Sequence, residues 1–318
     1  QEQWHTLWGY SMKIPVLFGP TAVGKPDLVL KLCETYPIEV ISMDSMQIYR
    51  QMDIGTAKPS KEVLAVAKHW MIDILDPQEE YNAYRYRSDA LKAIEDVRSR
   101  DKIPLVVGGT GLYLDALIHG LFEGVSKDEG LRRELRKTEE NNPGYLRAFL
   151  KEADPESYAR IHPNDIKRTI RALEVYLLSG KTLSTAQKDR VGDERFLIVE
   201  CVRGREELYS RIDARVDAMI QEGLLEETRA LLEQGCTAQT QSMKAIGYRE
   251  SIQFLQGLIP TKEQYRHRLK VNTHHYARRQ IIWGRKYARK TSCDLSTERF
   301  GEKEQKGPII IERLLEML

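Results

Sequence analysis

Short apolar runs alternate with segments of helical periodicity along the first part of this 318-residue chain. The runs occupy residues 14–18, 38–43 and 103–107, and a later run occupies 196–202. Between them, residues 89–100 have the spacing of an amphipathic helix. Buried strands separated by helices are typical of a parallel sheet with helices on its faces, so we predict an α/β fold.

The segment 124–190 has a different character, because it is strongly charged and shows no strand pattern. Turn signals such as Asn142-Pro143-Gly144 divide it, and Gly180 has the position of a glycine that ends a helix. We therefore predict a helical insertion domain at 124–190. It would separate a first core part at 11–123 from a second core part at 191–318 that carries basic C-terminal helices.

A glycine-rich loop joins the first apolar run to the first helix. Its residues are Gly19, Pro20, Thr21, Ala22, Val23, Gly24, Lys25 and Pro26. The match to GxxxxGK predicts a phosphate site, because such a loop directs backbone N–H groups and a helix N-terminus at an anion that Lys25 also reaches. These loops usually continue with Ser or Thr, whose hydroxyl helps to hold Mg²⁺, whereas Pro26 offers neither a hydroxyl nor an N–H donor.

Two other predicted strands end in polar residues on the same edge of the sheet, where ligands of such sheets bind. Asp44 follows 38–43, and Thr110 follows 103–107 and Gly108-Gly109. Asp44 could accept a proton from a nucleophile or cap a helix, and Thr110 could contact a phosphate or cap a turn. The run at 103–107 lacks the acidic end that holds Mg²⁺ in nucleotide hydrolases, so spacing alone favours a small-molecule kinase over a hydrolase.

Positive charge is concentrated late in the chain, where no acidic residue occurs between Tyr265 and Lys290. The cations of this basic cluster are Arg266, Arg268, Lys270, Arg278, Arg279, Arg285, Lys286, Arg289 and Lys290. Aromatic and histidine side chains are interleaved with them, as in surfaces that neutralise a nucleic-acid backbone and stack on bases. The alternative is a solvated helix face, but the density of charge favours RNA or DNA binding.

Whole-chain composition sets limits on partners and compartment. The formal net charge is only +2, so any basic surface is local. Four scattered cysteines without a CxxC pair argue against a disulfide framework or a zinc site and favour a reducing compartment. No apolar run approaches the roughly 18 residues of a membrane helix. We expect a monomeric, cytoplasmic protein that does not enter a membrane.

Motifs in the order of a known family extend this interpretation. They include Gly19–Lys25, Ile41–Tyr49, Met52–Pro59, Val107–Tyr113, Ile161–Asp165, Arg171–Val175, Ala245–Arg249 and Arg279-Gln280. Over residues 14–290 the sequence closely resembles the tRNA dimethylallyltransferase, or isopentenyl-tRNA transferase, family. Cys293 has no partner cysteine nearby, so the zinc finger of eukaryotic members is not expected and the resemblance is to the bacterial form.

The resemblance implies a P-loop core with a helical insertion that transfers a dimethylallyl group from dimethylallyl diphosphate to N6 of the adenosine on the 3′ side of the tRNA anticodon. By the family pattern, residues 19–26 hold the diphosphate. Lys25, Thr110 and Arg215, with Mg²⁺, stabilise this group as it leaves. Asp44 takes the N6 proton, and the adenine flips out of its stack to reach it. The Mg²⁺ would be held through the diphosphate, with Thr110 as the candidate protein contact.

The family pattern also assigns contacts with the anticodon stem-loop of tRNA. These fall on Asp44, Ser45, Met46, Gln47, Arg132, Lys167, Arg168, Thr169, Ile170, Arg171, Lys244, Ala245, Ile246, Gly247, Tyr248, Arg249, Arg278 and Arg279. Two alternatives stay open. One is an RNA-binding homologue whose catalysis is impaired by Pro26. The other is an enzyme that prenylates free adenine nucleotides, against which the insertion and the basic cluster argue.

Overall fold

The computed structural model describes residues 13–121, 127–188, 192–288 and 290–296. They form two compact units, one from residues up to 118 together with those from 193 onward, and one from residues 119–192. Residues 1–12, in which the sequence shows no clear period, and Arg289 of the basic cluster lie outside the described residues. Within the described ranges, no helix combines the length and the apolar character needed to cross a bilayer.

The first unit is built on a parallel sheet, which confirms the α/β prediction. Its described strands are β1 (Ile14–Phe18), β2 (Ile38–Met43), β3 (His69–Trp70), β4 (Ile103–Gly108), β5 (Phe196–Val202) and β6 (Lys290–Asp294). They lie in the order β3-β2-β4-β1-β5-β6, and every pairing is parallel. Gly108 pairs in register with both Phe18 and Met43, so β1, β2 and β4 end at one level. The loops after them therefore share one edge of the sheet.

The two edge strands were not predicted from the sequence. β3 is only two residues long, and β6 reads Lys-Thr-Ser-Cys-Asp, with no apolar run to indicate a strand. β6 forms because its backbone pairs with β5, in a register that sets Cys293 opposite Cys201. Both thiols are buried in the core that also contains Leu17 and Val199. Contacts distant in sequence, and not local propensity, create this strand.

The helices account for most of the remaining described chain. In chain order they are α1 (Lys25–Thr35), α2 (Lys61–Val66), α3 (Ala83–Ser99), α4 (Gly111–His119), α5 (Glu129–Asn141), α6 (Tyr145–Ala153), α7 (Pro155–Arg160), α8 (Ile166–Ser179), α9 (Leu183–Lys188), α10 (Arg205–Glu222), α11 (Leu224–Glu233), α12 (Tyr248–Leu255) and α13 (Lys262–Gly284). The amphipathic helix predicted at 89–100 is α3, which begins earlier because the Asn82 side chain accepts a hydrogen bond from Arg85 N and caps it there.

The second unit contains α5 to α9 and, within residues 127–188, no strand. Its core is formed by apolar positions that face one another across the helices, including Leu146, Leu150 and Leu173. Asp165 caps the start of α8 by accepting a hydrogen bond from Arg168 N. Gly180 ends the same helix at φ 70°, in the left-handed region, which confirms the prediction for this glycine.

Candidate active site

The phosphate loop lies between β1 and α1 and is open for an anion. The backbone N–H groups of Ala22, Gly24 and Lys25 have no hydrogen-bond acceptor among the described residues. Gly24 has φ 111° and Ala22 has φ 62°, and these left-handed conformations turn the chain sharply so that successive N–H groups converge. Unpaired N–H donors at the start of a helix form a site suited to a phosphate or diphosphate.

The Lys25 ammonium belongs to this loop. Its Nζ donates to the carbonyl oxygens of Gly19 at 2.8 Å and Pro20 at 2.9 Å, so the side chain folds back over the loop. The pKa of Lys25 is lowered to about 8, chiefly by burial and also by Arg215, while Cys201 and Asp44 act in the opposite direction. Because this pKa is still above 7, Lys25 carries its charge at neutral pH.

Pro26 is exposed and is the second residue of α1. Proline fits the first turn of a helix sterically, but it removes one N–H from the anion-facing terminus and supplies no hydroxyl. The backbone cradle and Lys25 are present in spite of it. The structure thus keeps the anion site and omits one of its usual contacts.

Arginines distant in sequence hold the phosphate loop from outside. Arg211 Nε donates to Ala22 O at 2.9 Å, and Arg203 Nε donates to Val23 O at 2.9 Å. Arg215, one helical turn after Arg211 on α10, donates from Nη1 to Thr21 Oγ1 at 3.1 Å. Burial, and then the nearby Arg211, lowers the pKa of Arg215. Sequence reasoning assigned Arg215 but missed Arg203 and Arg211, although Arg211 begins the same Arg-Ile-Asp-Ala-Arg segment.

Asp44 caps a turn, and not the helix that was the structural alternative from the sequence, because no helix follows β2 directly. Its capacity to accept a proton is retained. Its Oδ1 accepts hydrogen bonds from Met46 N at 2.8 Å and Gln47 N at 3.3 Å, which caps the turn after β2. Among the described residues no hydrogen bond reaches Oδ2. Burial raises the pKa of Asp44, and the two backbone hydrogen bonds and Lys25 only partly offset this effect. A carboxylate with one free oxygen and a raised pKa is suited to accept a proton.

Thr110 does not cap α4 through its side chain. Its Oγ1 accepts a hydrogen bond from Ser45 N at 3.1 Å, and its own N–H donates to Met43 O at 3.2 Å. The hydroxyl thus joins the end of β4 to the turn that follows β2. Thr110 is absent from the residues that line the adjacent cavity, so its placement favours positioning of the turn at Asp44–Gln47.

A cavity of about 480 Å³ lies within the first unit, over these strand ends. The predicted site residues that line it are Thr21, Ala22, Val23, Gly24, Lys25, Pro26, Asp44, Ser45, Met46, Gln47, Arg215, Lys244, Ala245, Ile246, Gly247, Arg249 and Arg279. Those of the first unit outside this lining are Gly19, Pro20, Thr110, Tyr248 and Arg278. Apolar side chains such as Val40, Val107 and Met219 complete the wall. The cavity therefore joins an anion site, a carboxylate and an apolar surface.

Two carboxylates, those of buried Glu250 and half-buried Glu227, shape the segment 244–249. Glu250 accepts hydrogen bonds from Gly247 N at 2.9 Å and Arg249 Nε at 2.9 Å. Glu227 accepts one from the Tyr248 hydroxyl at 2.6 Å. Tyr248 is fully buried, so this structure gives it a packing role and no surface for direct RNA contact. Lys244 and Arg249 are exposed.

Glu227 also organises the Met52–Pro59 loop. Its carboxylate accepts hydrogen bonds from the backbone N–H groups of Asp53 and Ile54, both at 2.9 Å, and of Gly55 at 3.1 Å. The carbonyl oxygens of Thr56 and Ala57 in this loop accept hydrogen bonds from Gln47 Nε2 at 3.3 Å. Glu227 was not singled out from the sequence, because nothing in its local pattern indicates the distant loop that it binds.

The second unit contains the remaining predicted RNA contacts. Arg132 donates to buried Glu174 from Nε at 2.7 Å and from Nη2 at 2.8 Å, and Arg171 Nη1 lies 2.5 Å from the same carboxylate. Burial opposes ionisation of Glu174, but the hydrogen bonds from Arg132 and Arg171 prevail and lower its pKa. Both arginines are therefore held in an internal ion-pair network.

The other predicted positions in α8 differ in exposure. Lys167 and Arg168 are exposed, whereas Thr169 and Ile170 are buried. Direct contact with RNA is thus open only to the first two of these four. The buried pair fixes α8 within its unit.

Some cations of the basic cluster form ion pairs with carboxylates, and others are exposed without an ion pair among the described residues. Arg266 and Lys270 pair with Asp217, with N–O distances of 2.6 and 2.9 Å, and Lys290 pairs with Glu200 at 2.6 Å. Arg278 and Arg285 are exposed and have no polar partner among the described residues. Arg279 is exposed and lies over the Tyr276 ring, 5.9 Å from its centroid. The exposed cations without an ion pair thus include Arg278 and Arg279 in the second half of α13 and Arg285 directly after it.

Comparison with known proteins gives consistent relatives. A family model described as IPP transferase matches residues 47–287. The tRNA dimethylallyltransferase of Thermotoga petrophila is 53% identical over 302 residues, which cover 95% of this chain and 99% of that protein. The tRNA dimethylallyltransferase of Thermosipho africanus is 48% identical over 285 residues, or 90% of this chain and 94% of that protein.

Two solved structures are also similar. The tRNA isopentenylpyrophosphate transferase of Bacillus halodurans aligns with a TM-score of 0.71 and 37% identity, over 96% of this chain and 97% of that one. A eukaryotic dimethylallyltransferase, described as acting on tRNA, aligns with a TM-score of 0.80 and 30% identity, over 94% of this chain and 77% of that one. These matches confirm the resemblance and the P-loop-like fold on which it was based.

Proposed function

The chain belongs to the IPP transferase family, and on that premise we propose that it is a tRNA dimethylallyltransferase. It transfers the dimethylallyl group of dimethylallyl diphosphate to N6 of the adenosine on the 3′ side of the tRNA anticodon, and diphosphate is released. This proposal is supported mainly by one observation. The phosphate loop, Lys25, Arg215 and the Asp44 carboxylate all line the same cavity. A phosphorylated donor and a proton acceptor are the two elements that such a transfer requires.

The diphosphate is the leaving group, and the loop is built to receive its charge. The unpaired N–H groups of Ala22, Gly24 and Lys25 would bind its oxygens, and the ammonium of Lys25 and the guanidinium of Arg215 would stabilise the charge that develops as the C–O bond breaks. Hydrogen bonds from Lys25 to Gly19 and Pro20, and from Arg215 to Thr21, hold both cations beside the loop.

Asp44 would accept the proton of the acceptor amine. The N6 lone pair attacks the allylic carbon, the bond from that carbon to the diphosphate oxygen breaks, and one N6 proton passes to Asp44 Oδ2, which has no other partner among the described residues. The adenine must leave its stack to reach a carboxylate inside this cavity, so base flipping is part of the proposal.

Mg²⁺ is the metal that we propose, and the residues present fit one mode of binding. Among the described residues no group of three or more His, Cys, Asp or Glu side chains could hold a metal ion by itself. Mg²⁺ commonly combines one or two protein oxygens with substrate phosphates and water. The ion would therefore be held mainly through the diphosphate, with Thr110, which lies beside the cavity and outside its lining, as the candidate protein contact. When bound, the ion would supply positive charge to the departing diphosphate.

The acceptor RNA would be the anticodon stem-loop, bound to a single copy of the chain in the cytoplasm. Lys244, Arg249 and Arg279 line or border the cavity and are exposed, and Arg278 adds a neighbouring charge. Lys167 and Arg168 present a smaller basic surface on the second unit. Arg132 and Arg171 would act through Glu174 to hold that unit together.

A competition experiment tests the acceptor assignment. The protein is incubated with labelled dimethylallyl diphosphate, Mg²⁺ and unmodified tRNA, with AMP present in excess. We expect label in RNA and none in AMP. An enzyme whose acceptor was a mononucleotide would need neither the basic helix nor the second unit, and this chain has both. Label in AMP would favour an adenylate prenyltransferase, and RNA binding without transfer of label would favour the catalytically impaired homologue.

A further inference from the structure

One side chain bridges the two halves of the proposed site. Gln280, on α13, is 4% exposed. Its Oε1 accepts a hydrogen bond from Thr21 N in the phosphate loop at 2.8 Å, and its Nε2 donates to Gly109 O at the end of β4 at 2.9 Å. Since both ends of the amide are engaged, the orientation of Gln280 is fixed by these two partners.

The last turns of α13 pack closely on the end of β4, so Gln280 and the strand end move together. A Cβ at Gly109 would lie 2.1 Å from Gln280 Nε2, and a Cβ at Gly111 would lie 2.3 Å from the Trp283 ring. Side chains at these glycines would push α13 away from the strand end. A movement of α13 therefore moves Gln280, and with it the Thr21 N–H.

The neighbouring residues of the same helix face the proposed RNA side. Arg279 is exposed and lines the cavity, and Tyr276, one turn earlier, also lines it. Arg278 is exposed and has no polar partner among the described residues. Exposed cations that could bind RNA phosphates thus directly precede Gln280, the residue that is hydrogen-bonded to the phosphate loop.

We propose that Gln280 is a positioning residue that couples RNA on α13 to the phosphate loop, so that RNA and diphosphate bind with positive cooperativity. This inference rests on the proposed function. RNA held by Arg278 and Arg279 would restrict α13, and Gln280 would pass the restriction to Thr21 and Gly109. The loop then has less freedom to lose when the diphosphate binds. The coupling is reciprocal, so diphosphate strengthens RNA binding by the same factor.

The test is a binding cycle with inorganic diphosphate and Mg²⁺, titrated with and without an unmodified anticodon stem-loop RNA. We expect the RNA to tighten diphosphate binding by at least about fivefold in the wild type. Gln280→Met keeps the length and apolar packing of the side chain but removes both hydrogen bonds, and it should reduce this factor to about one, within roughly twofold. Gln264→Ala, an exposed glutamine in the first turn of the same helix, should retain the full factor.

A second variant keeps the test decisive if Gln280→Met folds poorly. Arg278→Ala combined with Arg279→Ala alters only exposed side chains, so the protein should unfold at the temperature of the wild type, whereas the coupling factor measured at saturating RNA should fall. Steady-state kinetics of Gln280→Met should show a raised KM for the donor at saturating RNA with a smaller change in kcat.

The outcomes separate the inference from the proposed function. A wild type without coupling, or Gln280→Met with full coupling, overturns the role of Gln280 even when transfer to tRNA is intact. Absence of transfer by a wild type whose coupling is lost in Gln280→Met overturns the proposed reaction and supports the role of Gln280.

Discussion

The Arg215 guanidinium donates to the hydroxyl of Thr21 across 3.1 Å, although the two residues are 194 positions apart. This contact places a half-buried cation from α10 beside the phosphate loop, where the charge of a leaving diphosphate would develop. The loop and α10 come from the two separate chain segments that form the first unit.

Arg215→Gln should retain the fold and lose most of the activity. The shorter, neutral amide supplies no positive charge beside the loop, so we expect kcat to fall by about 10²–10³. Single-turnover transfer to tRNA measures this. Arg229→Gln, an exposed arginine on α11, is the matched control and should leave the rate unchanged. A rate for Arg215→Gln within threefold of the wild type, on the order of 0.7 kcal/mol, would remove Arg215 from the mechanism.

Pro26→Thr should increase activity. The substitution restores an N–H at the anion-facing terminus and a hydroxyl for Mg²⁺, and a hydrogen bond to a charged group contributes about 1.5–3 kcal/mol, or roughly tenfold or more in rate. Pro26→Ala separates the two effects, because it restores only the N–H. The measurement is transfer rate against Mg²⁺ concentration. If Pro26→Thr and the wild type have the same rate, the hydroxyl contributes nothing in this protein.

Protonation of Asp44 should lower the reaction rate on the acidic side of the pH–rate profile. Burial raises the pKa of Asp44 above its ordinary value, and only the ionised form accepts a proton, so the single-turnover rate should rise as pH increases through that raised pKa. Asp44→Asn keeps the acceptor oxygen that caps the turn, and it should lower the rate by about 10²–10⁴ and remove this dependence on pH. An unaltered pH profile in Asp44→Asn would show that another group takes the proton.

Glu39 should make the first unit sensitive to acid. Glu39 is 1% exposed and accepts hydrogen bonds from Arg100, Lys102 and Trp70, and those from Arg100 chiefly hold its pKa well below the ordinary value. A depressed pKa stabilises the fold above the unfolded pKa of about 4.3, and this stability is lost as pH falls below it.

Glu39→Gln isolates this contribution to stability. At pH 7 the substitution should lower the free energy of unfolding by about 3 kcal/mol, a size typical of breaking a buried ion pair. Between about pH 5 and 3 the free energy of unfolding of Glu39→Gln should fall less steeply with pH than that of the wild type. Urea unfolding at several pH values measures both effects. Glu95→Gln, which changes an exposed carboxylate, should match the wild type. Parallel acid profiles for Glu39→Gln and the wild type would contradict the assignment.

Sequence patterns predicted those elements whose conformation is determined by residues close together in the sequence. The central strands were evident because burial on both faces requires continuous apolar runs, and the phosphate loop because its glycines and Lys25 have fixed spacing. β6 was missed because its polar sequence becomes a strand only through pairing with β5. The family resemblance, and not spacing, distinguished a prenyl transferase from a kinase.

The site residues that were not predicted from the sequence are those that act through contacts with distant parts of the chain. Gln280, Glu227, Arg203 and Arg211 bind loops more than 150 positions away, and no local pattern encodes such a partner. Burial likewise cannot be read residue by residue within a motif. Tyr248, Thr169 and Ile170 were assigned with their neighbours to RNA contact, and the structure buries all three.

The most direct test of the central claim is the identity of the product nucleoside. Unmodified tRNA with adenosine on the 3′ side of the anticodon is incubated with the protein, dimethylallyl diphosphate and Mg²⁺, digested to nucleosides and analysed by mass spectrometry, beside the same tRNA with guanosine at that position. We predict N6-dimethylallyl adenosine from the first RNA and no adduct from the second. No adduct from either RNA at any Mg²⁺ concentration, or an equal yield from both, would contradict the account.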